Sequence, residues 1–201
     1  MPSGRTHDRI TLWTLPVVAG LTFAQTRSGN LTLLVAGGFF FSGLMFGPDL
    51  DIYSRQFQRW GWLRWIWLPY QNSLRHRSFL SHGPLIGSAL RLLYLAGCVG
   101  IVVMLVLLAG QQFWGWSWTW DMVADFLVQS LKHYYAEWIA LYAGLELGSM
   151  SHYLSDWVGS AYKRIKKYGL MGWLFPAANS KKRRPPTSEN KRRQSKGRSK
   201  I

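Results

Sequence analysis

The chain has 201 residues, a formal net charge of +15 and 48% hydrophobic residues. That length allows one domain, or one domain with a tail. The single cysteine, Cys98, excludes an intrachain disulfide and any cysteine-based zinc site, and its apolar neighbours predict a small buried side chain. Mean hydropathy is near zero only because apolar blocks fill the first 175 residues and a charged segment fills the end.

In chain order, the first nine residues are polar and carry no secretory signal pattern. Within SGRTHDRIT, Thr6 is suited to cap a helix, which would put His7 in its first turn. An apolar block then runs from Ile10 to Ala24, interrupted by Pro16. A second, Leu31 to Gly47, carries no charge. It closes on Gly47-Pro48-Asp49-Leu50-Asp51, where Gly and Pro end a helix and leave two carboxylates two residues apart. Such a pair reads equally as a metal site or as a turn. WGWLRWIWLPY, Trp60 to Tyr70, mixes arginine with tryptophan and predicts a helix lying at a membrane surface. HRSFLSHGP places His76 and His82 on either side of Arg77, Ser78 and Ser81. Six residues is a poor interval for one face of a helix, so the chain must turn between them or at Gly83-Pro84 for the two imidazoles to converge.

The third apolar block, Leu85 to Gly110, has one charge, Arg91, near its start. FWGWSWTW, Phe113 to Trp120, alternates tryptophan with small residues and suits a short strand or a loop. His133 falls at the far end of the chain's topology and reads as structural. The fourth block, Ala136 to Met150, carries Glu137 and Glu146, and an acid as deep as Glu146 needs a partner such as Arg91 or a ligand histidine. SHYLSDW follows, with His152 and Asp156 spaced i, i+4 on one helix face. From Lys181 to Lys200 there are ten Lys or Arg against one acid, Glu189, in a composition that cannot build a core.

These blocks predict an all-α, membrane-embedded helical bundle with two to four spans over residues 1–175, and a disordered basic tail over 176–201. A spanning helix needs roughly 20 apolar residues, which the third block meets and the second approaches. Twelve tryptophans suit membrane boundaries. With four spans, the N-terminus, the 51–84 loop and the tail share one side. That side holds almost all the Lys and Arg, so the orientation rule makes both termini cytoplasmic.

The same topology collects His7, Asp49, Asp51, His76, His82, His152 and Asp156 at the cytoplasmic helix ends. Ionisable groups near a membrane are costly unless they pair or bind an ion. A mixed nitrogen–oxygen set of this kind suits one or two divalent ions, zinc or manganese foremost. Four motifs carry a resemblance: the N-terminal histidine, Pro-Asp-Leu-Asp at 48–51, His-Arg…Ser-His at 76–82 and His-x-x-x-Asp at 152–156. Over about residues 1–160 they resemble membrane-bound metal-dependent hydrolases, whose best-known members are LexA-regulated inner-membrane proteins of bacteria. The opening segment looks more like a related group of predicted metal-binding proteins common in cyanobacteria. Ser81 stands where the hydrolase pattern has Thr, and Gly83 replaces the Ser after the second histidine.

The resemblance implies metal-assisted hydrolysis of a phosphoester, with membrane lipid or a small molecule as substrate. Arg77 would stabilise charge on that substrate and a carboxylate such as Asp51 would act as base. Two rival expectations are a metal-binding module without catalysis, and a membrane anchor that presents the basic tail to anionic lipid or nucleic acid.

Overall fold

The computed structural model describes residues 4–74 and 78–174, and among these every regular element is helical. His76, Arg77 and the tail from residue 175 lie outside the described residues. The chain divides into two compact units, Met1–Ser160 and Ala161–Ile201, and the residues discussed below belong to the first.

Each of the four apolar blocks forms a helix: α1 (Gly4–Thr26), α2 (Gly29–Leu44), α6 (Ile86–Trp114) and α8 (Tyr135–Leu174). Between α2 and α6 lie a 3-10 turn (Pro48–Asp51), α3 (Arg55–Gln58), a 3-10 segment (Gly61–Trp67), α4 (Leu68–Ser73) and α5 (Phe79–His82). α7 (Trp120–His133) was not expected from the apolar blocks, because its apolar residues follow a helical period among polar ones rather than forming a run. FWGWSWTW ends α6, passes through irregular chain and starts α7, so no strand forms there. α1 begins at Gly4, ahead of Thr6, so Thr6 is not its N-cap. Cys98 is half-buried rather than buried, because α6 carries little protein cover at that level.

Two close approaches bring distant parts of the chain to one end of α2. α1 packs on α2, and a Cβ on Gly43 would lie 2.5 Å from Thr11 Cγ2, so the helices nearly touch there. α2 and α8 meet through Gly144 and Gly148, four residues apart on one face of α8. A Cβ on Gly144 would stand 2.3 Å from the Val35 carbonyl oxygen, and one on Gly148 would stand 2.5 Å from that of Phe39. Small residues at this spacing let two helical backbones approach directly. His152 and Asp156 sit one and two turns beyond Gly148, so this contact delivers them to the end of α2, beside Asp49 and Asp51.

The core beside this junction is aromatic. Trp67 is fully buried and meets Phe46, Trp60, Tyr70 and Tyr94 with ring centroids 5.1–5.7 Å apart. Edge-to-face and tilted contacts at such distances add to the burial of apolar area. The Trp60–Tyr70 segment is therefore not one interfacial helix. It is a 3-10 stretch followed by α4, with Trp67 and Tyr70 in the core and Trp62 and Trp65 at 80% and 64% exposure.

A buried polar cluster links α2, α6 and α8. Ser42 and Ser149 hydroxyls lie 3.0 Å apart, and Ser88 donates to Ser149. Arg91, fully buried, donates to the Ser81 carbonyl at 3.0 Å and to the hydroxyls of Ser88 and Ser149 at 2.9 Å each. Among the described residues Glu146 pairs with neither Arg91 nor a histidine: it accepts from the Leu85 backbone N–H at 2.9 Å. Leu85 has φ +62°, a strained value for a branched residue, and Tyr142 also donates to its carbonyl. Arg91, Glu146 and Tyr142 thus clamp the segment that carries His82 onto α6 and α8.

Candidate metal centre

His7 points from the first turn of α1 into the junction and is 7% exposed. Its Nδ1 lies 2.6 Å from Ser155 Oγ, and that hydroxyl also donates to the His152 carbonyl at 2.8 Å. A serine has one proton to give. With that proton on the His152 carbonyl, Ser155 accepts from His7 Nδ1–H, and the Nε2 lone pair of His7 is left free. This is the arrangement in which a second hydrogen bond fixes the tautomer of a metal-binding histidine. His7 Nε2 faces Asp156 Oδ1 at 3.4 Å.

His152 is 5% exposed, and neither of its ring nitrogens has a hydrogen-bond partner among the described residues; the same holds for Asp156 Oδ1. His152 Nε2 lies 3.2 Å from Asp49 Oδ2, but without hydrogen-bond alignment. Buried polar atoms are almost always satisfied, and each one left bare costs about 1–3 kcal/mol. A cation among these donors would satisfy one His152 nitrogen and Asp156 Oδ1. Donor atoms of His7, His152 and Asp156 all lie within 4.8 Å of one another. Ligands each about 2.0–2.2 Å from a shared zinc ion lie no more than about 4.4 Å apart, so the set needs only slight closure. The residues present fit a divalent ion.

Electrostatics agree with this reading. Burial, and then the neighbouring His152, push the His7 imidazole below its ordinary value, while Asp156 and Asp49 act against the shift. A neutral imidazole is the form that binds metal.

Asp49, on the 3-10 turn, connects this trio to a second group. Its Oδ1 lies 3.9 Å from His82 Nε2, while Oδ2 faces His152. The other His82 nitrogen, Nδ1, is 3.6 Å from Asp51 Oδ2 and 2.8 Å from Ser81 Oγ. The Asp51 side chain is fully buried.

Of the residues predicted as ligands, His7, His152 and Asp156 come together around one point, Asp49 reaches His152 from beside them, and His82 and Asp51 adjoin through Asp49. His76 and Arg77 fall outside the described residues. His133, set aside as structural, is exposed at the end of α7 against Tyr134. Ser155 and the Asp8–Arg59 pair escaped the sequence reading. Ser155 lies inside SHYLSDW one residue before Asp156, and only the fold shows that it turns toward His7. Asp8 is held by Arg59 through both oxygens, at 2.9 and 2.7 Å, and this ties α1 to the segment after α3.

One curated relative, an uncharacterized protein of Aquifex aeolicus, is 36% identical over 59 residues, 29% of this chain. The chain spans only 41% of that relative's length. No solved structure matches. Residues 2–166, which include every donor described above, match the model of the uncharacterized metal-binding protein family DUF2227, and the chain belongs to that family.

Proposed function

We propose that this protein is a membrane-embedded, divalent-metal-binding protein whose centre hydrolyses a phosphoester. The observation that carries the metal reading is the buried, unpartnered pair of His152 nitrogens set among His7, Asp49 and Asp156. His7 and His152 supply nitrogen and Asp156 and Asp49 supply oxygen, a donor set suited to zinc or manganese. A bound divalent ion lowers the pKa of a coordinated water toward neutrality and polarises the bond under attack. The chain's own part is to hold the donors: Ser155 orients His7, and the Gly144/Gly148 contact fixes the position of His152 and Asp156.

The membrane reading rests on α6 and on the stretch Gly29–Asp51, α2 with the 3-10 turn that follows it, the two described segments long and apolar enough to cross a bilayer. α6 has 29 residues, and the most apolar stretch of it has no part buried against the described chain. Side chains such as Leu93, Ile101, Val102 and Leu105 are more than half exposed. At 1.5 Å per residue this helix is roughly 43 Å long, against a hydrocarbon core of about 30 Å. In water such a surface has no favourable neighbour, whereas lipid supplies one. The excess of Lys and Arg in the N-terminal segment, the 51–84 segment and the tail supports a cytoplasmic side for the metal centre and both termini. There the tail, residues 176–201, would meet anionic lipid.

Elemental analysis of detergent-purified protein, wild type beside His152→Ala, tests the metal reading. Near-stoichiometric metal in the wild type, lost in the variant, is the expected result; equal metal in both sinks it. A phosphodiester hydrolysis assay on the same samples then separates an enzyme from a metal module without catalysis. Extraction of native membranes with alkaline carbonate, which leaves spanning proteins in the pellet, tests the location.

A further inference from the structure

A small cleft opens beside the metal centre, lined by Gly4, Asp8, Gly43, Ser54, Arg55 and Gln56 together with His7, Asp49 and His152. Three observations bear on what it would hold. First, Asp8 already has both oxygens bound by Arg59, and Arg55 adds a single longer contact of 3.3 Å. Arg59 therefore occupies Asp8, and of the residues lining the cleft Arg55 is the one cation, with Asp49 on the side of the metal centre. Arg55 makes no other hydrogen bond among the described residues, and its side chain is 46% exposed, so most of its donor fork is available. Second, Gln56 is 5% exposed and its amide donates to the Gly43 carbonyl at 3.2 Å, which fixes which end of the amide is which. Its Oε1 is left buried with no hydrogen-bond partner among the described residues. Third, the free space it encloses is only about 30 Å³, which suits one small polar group rather than a drug-sized ligand.

We infer that this cleft is an oxyanion subsite that seats the phosphate group of a small phosphoester against the metal centre. Arg55 binds the anionic oxygens through its planar fork, and Gln56 Oε1 accepts from a hydroxyl on the phosphate or its alcohol. Guanidinium geometry matches phosphate in a two-point contact that a carboxylate already held elsewhere cannot satisfy. Arg55 is thus a substrate-binding arginine that the sequence did not single out; Arg77, expected in such a role, lies outside the described residues. The inference rests on the metal reading above and adds the place where the phosphate group sits and the residue that recognises it.

The test is calorimetric titration of inorganic phosphate into detergent-solubilised, metal-loaded protein, with metal content measured on the same samples. Wild type is compared with Arg55→Ala and Arg55→Lys. A second arm replaces free phosphate by phosphatidic acid doped into the micelles, which distinguishes a lipid headgroup from a free phosphate as the source. Phosphate or headgroup binding that weakens at least tenfold in Arg55→Ala, with partial recovery in Arg55→Lys and unchanged metal content, is the expected result. Arg55 is half exposed and Arg59 keeps Asp8 bound, so the alanine variant retains its fold. Metal present in all three proteins with binding indifferent to Arg55, or with no phosphate binding in either arm, overturns the subsite alone. Wild type without metal overturns the metal reading and the subsite with it.

Discussion

The imidazoles of His7 and His152 stack face to face, with ring centroids 3.9 Å apart and planes 16° from parallel. Two stacked imidazoles cannot both carry a proton without strong repulsion, and both are buried. This sets a pH dependence with a definite sign. In the unfolded chain His7 takes up a proton as pH falls below about 6.5. In the folded chain burial and His152 hold it lower, so the unfolded state binds more protons over that interval. Stability of the metal-free protein is therefore full above about pH 6.5 and falls below it, levelling off once folded His7 is also protonated. Thermal unfolding of metal-free protein across pH 5 to 8 checks this, and His7→Gln flattens the slope. A metal-free midpoint that rises on acidification contradicts it.

Ser155 reaches both histidines, accepting from His7 Nδ1 and donating to the His152 carbonyl. Ser155→Ala leaves the donor set complete and removes only the group that fixes the His7 ring. Groups of this kind typically contribute 10–100-fold to metal affinity. The expected outcome is a loss in that range, measured by competition with a chelating dye, while thermal stability of the metal-free protein changes by no more than about 1–2 kcal/mol. Unchanged affinity would mean that His7 is oriented by packing alone.

The four long helices were legible because each contains a long, mostly apolar block, and the ligand types were legible because few other residues bind divalent ions. His152 and Asp156 were readable as a pair from their i, i+4 spacing. Their meeting with His7, 145 positions away from His152, is not a property of either segment: it depends on glycines in α2 and α8 that look like ordinary apolar-helix residues in sequence. The Trp60–Tyr70 block misled because tryptophan suits a membrane boundary and an aromatic core equally. α7 was missed because its apolar positions are spread around a helical period. The Leu85 N–H that Glu146 accepts from was not foreseen, because a backbone partner leaves no trace in sequence.

The Gly144 contact makes its own prediction. A methyl group there meets the Val35 backbone carbonyl at 2.3 Å, and a backbone cannot rotate away as a side chain does. Gly144→Ala must push α8 from α2, with overpacking costs of about 1–3 kcal/mol. Because His152 and Asp156 ride on α8, metal affinity falls along with the unfolding midpoint. Gly97→Ala, in α6 where nothing lies within 4 Å of the added carbon, is the control and leaves both unchanged.

Asp49 and Asp51 are two residues apart on one turn, yet they face different partners. Asp49 Oδ2 lies 3.2 Å from His152 Nε2, next to the trio, while Asp51 Oδ2 approaches His82 Nδ1 at 3.6 Å. Amide substitution removes a negative charge and keeps the shape. Asp49→Asn takes that charge from beside His7 and His152, so affinity for the first equivalent of zinc drops at least tenfold. Asp51→Asn alters only the His82 side, and the first equivalent binds within about twofold of wild type, a difference under about 0.5 kcal/mol. Any second, weaker equivalent present in the wild type is lost in both, because Asp49 is the carboxylate common to the two groups. Titration by calorimetry with zinc resolves the steps. Equal weakening of the first equivalent in the two variants would show that the ion sits between the carboxylates rather than between His7, His152 and Asp156.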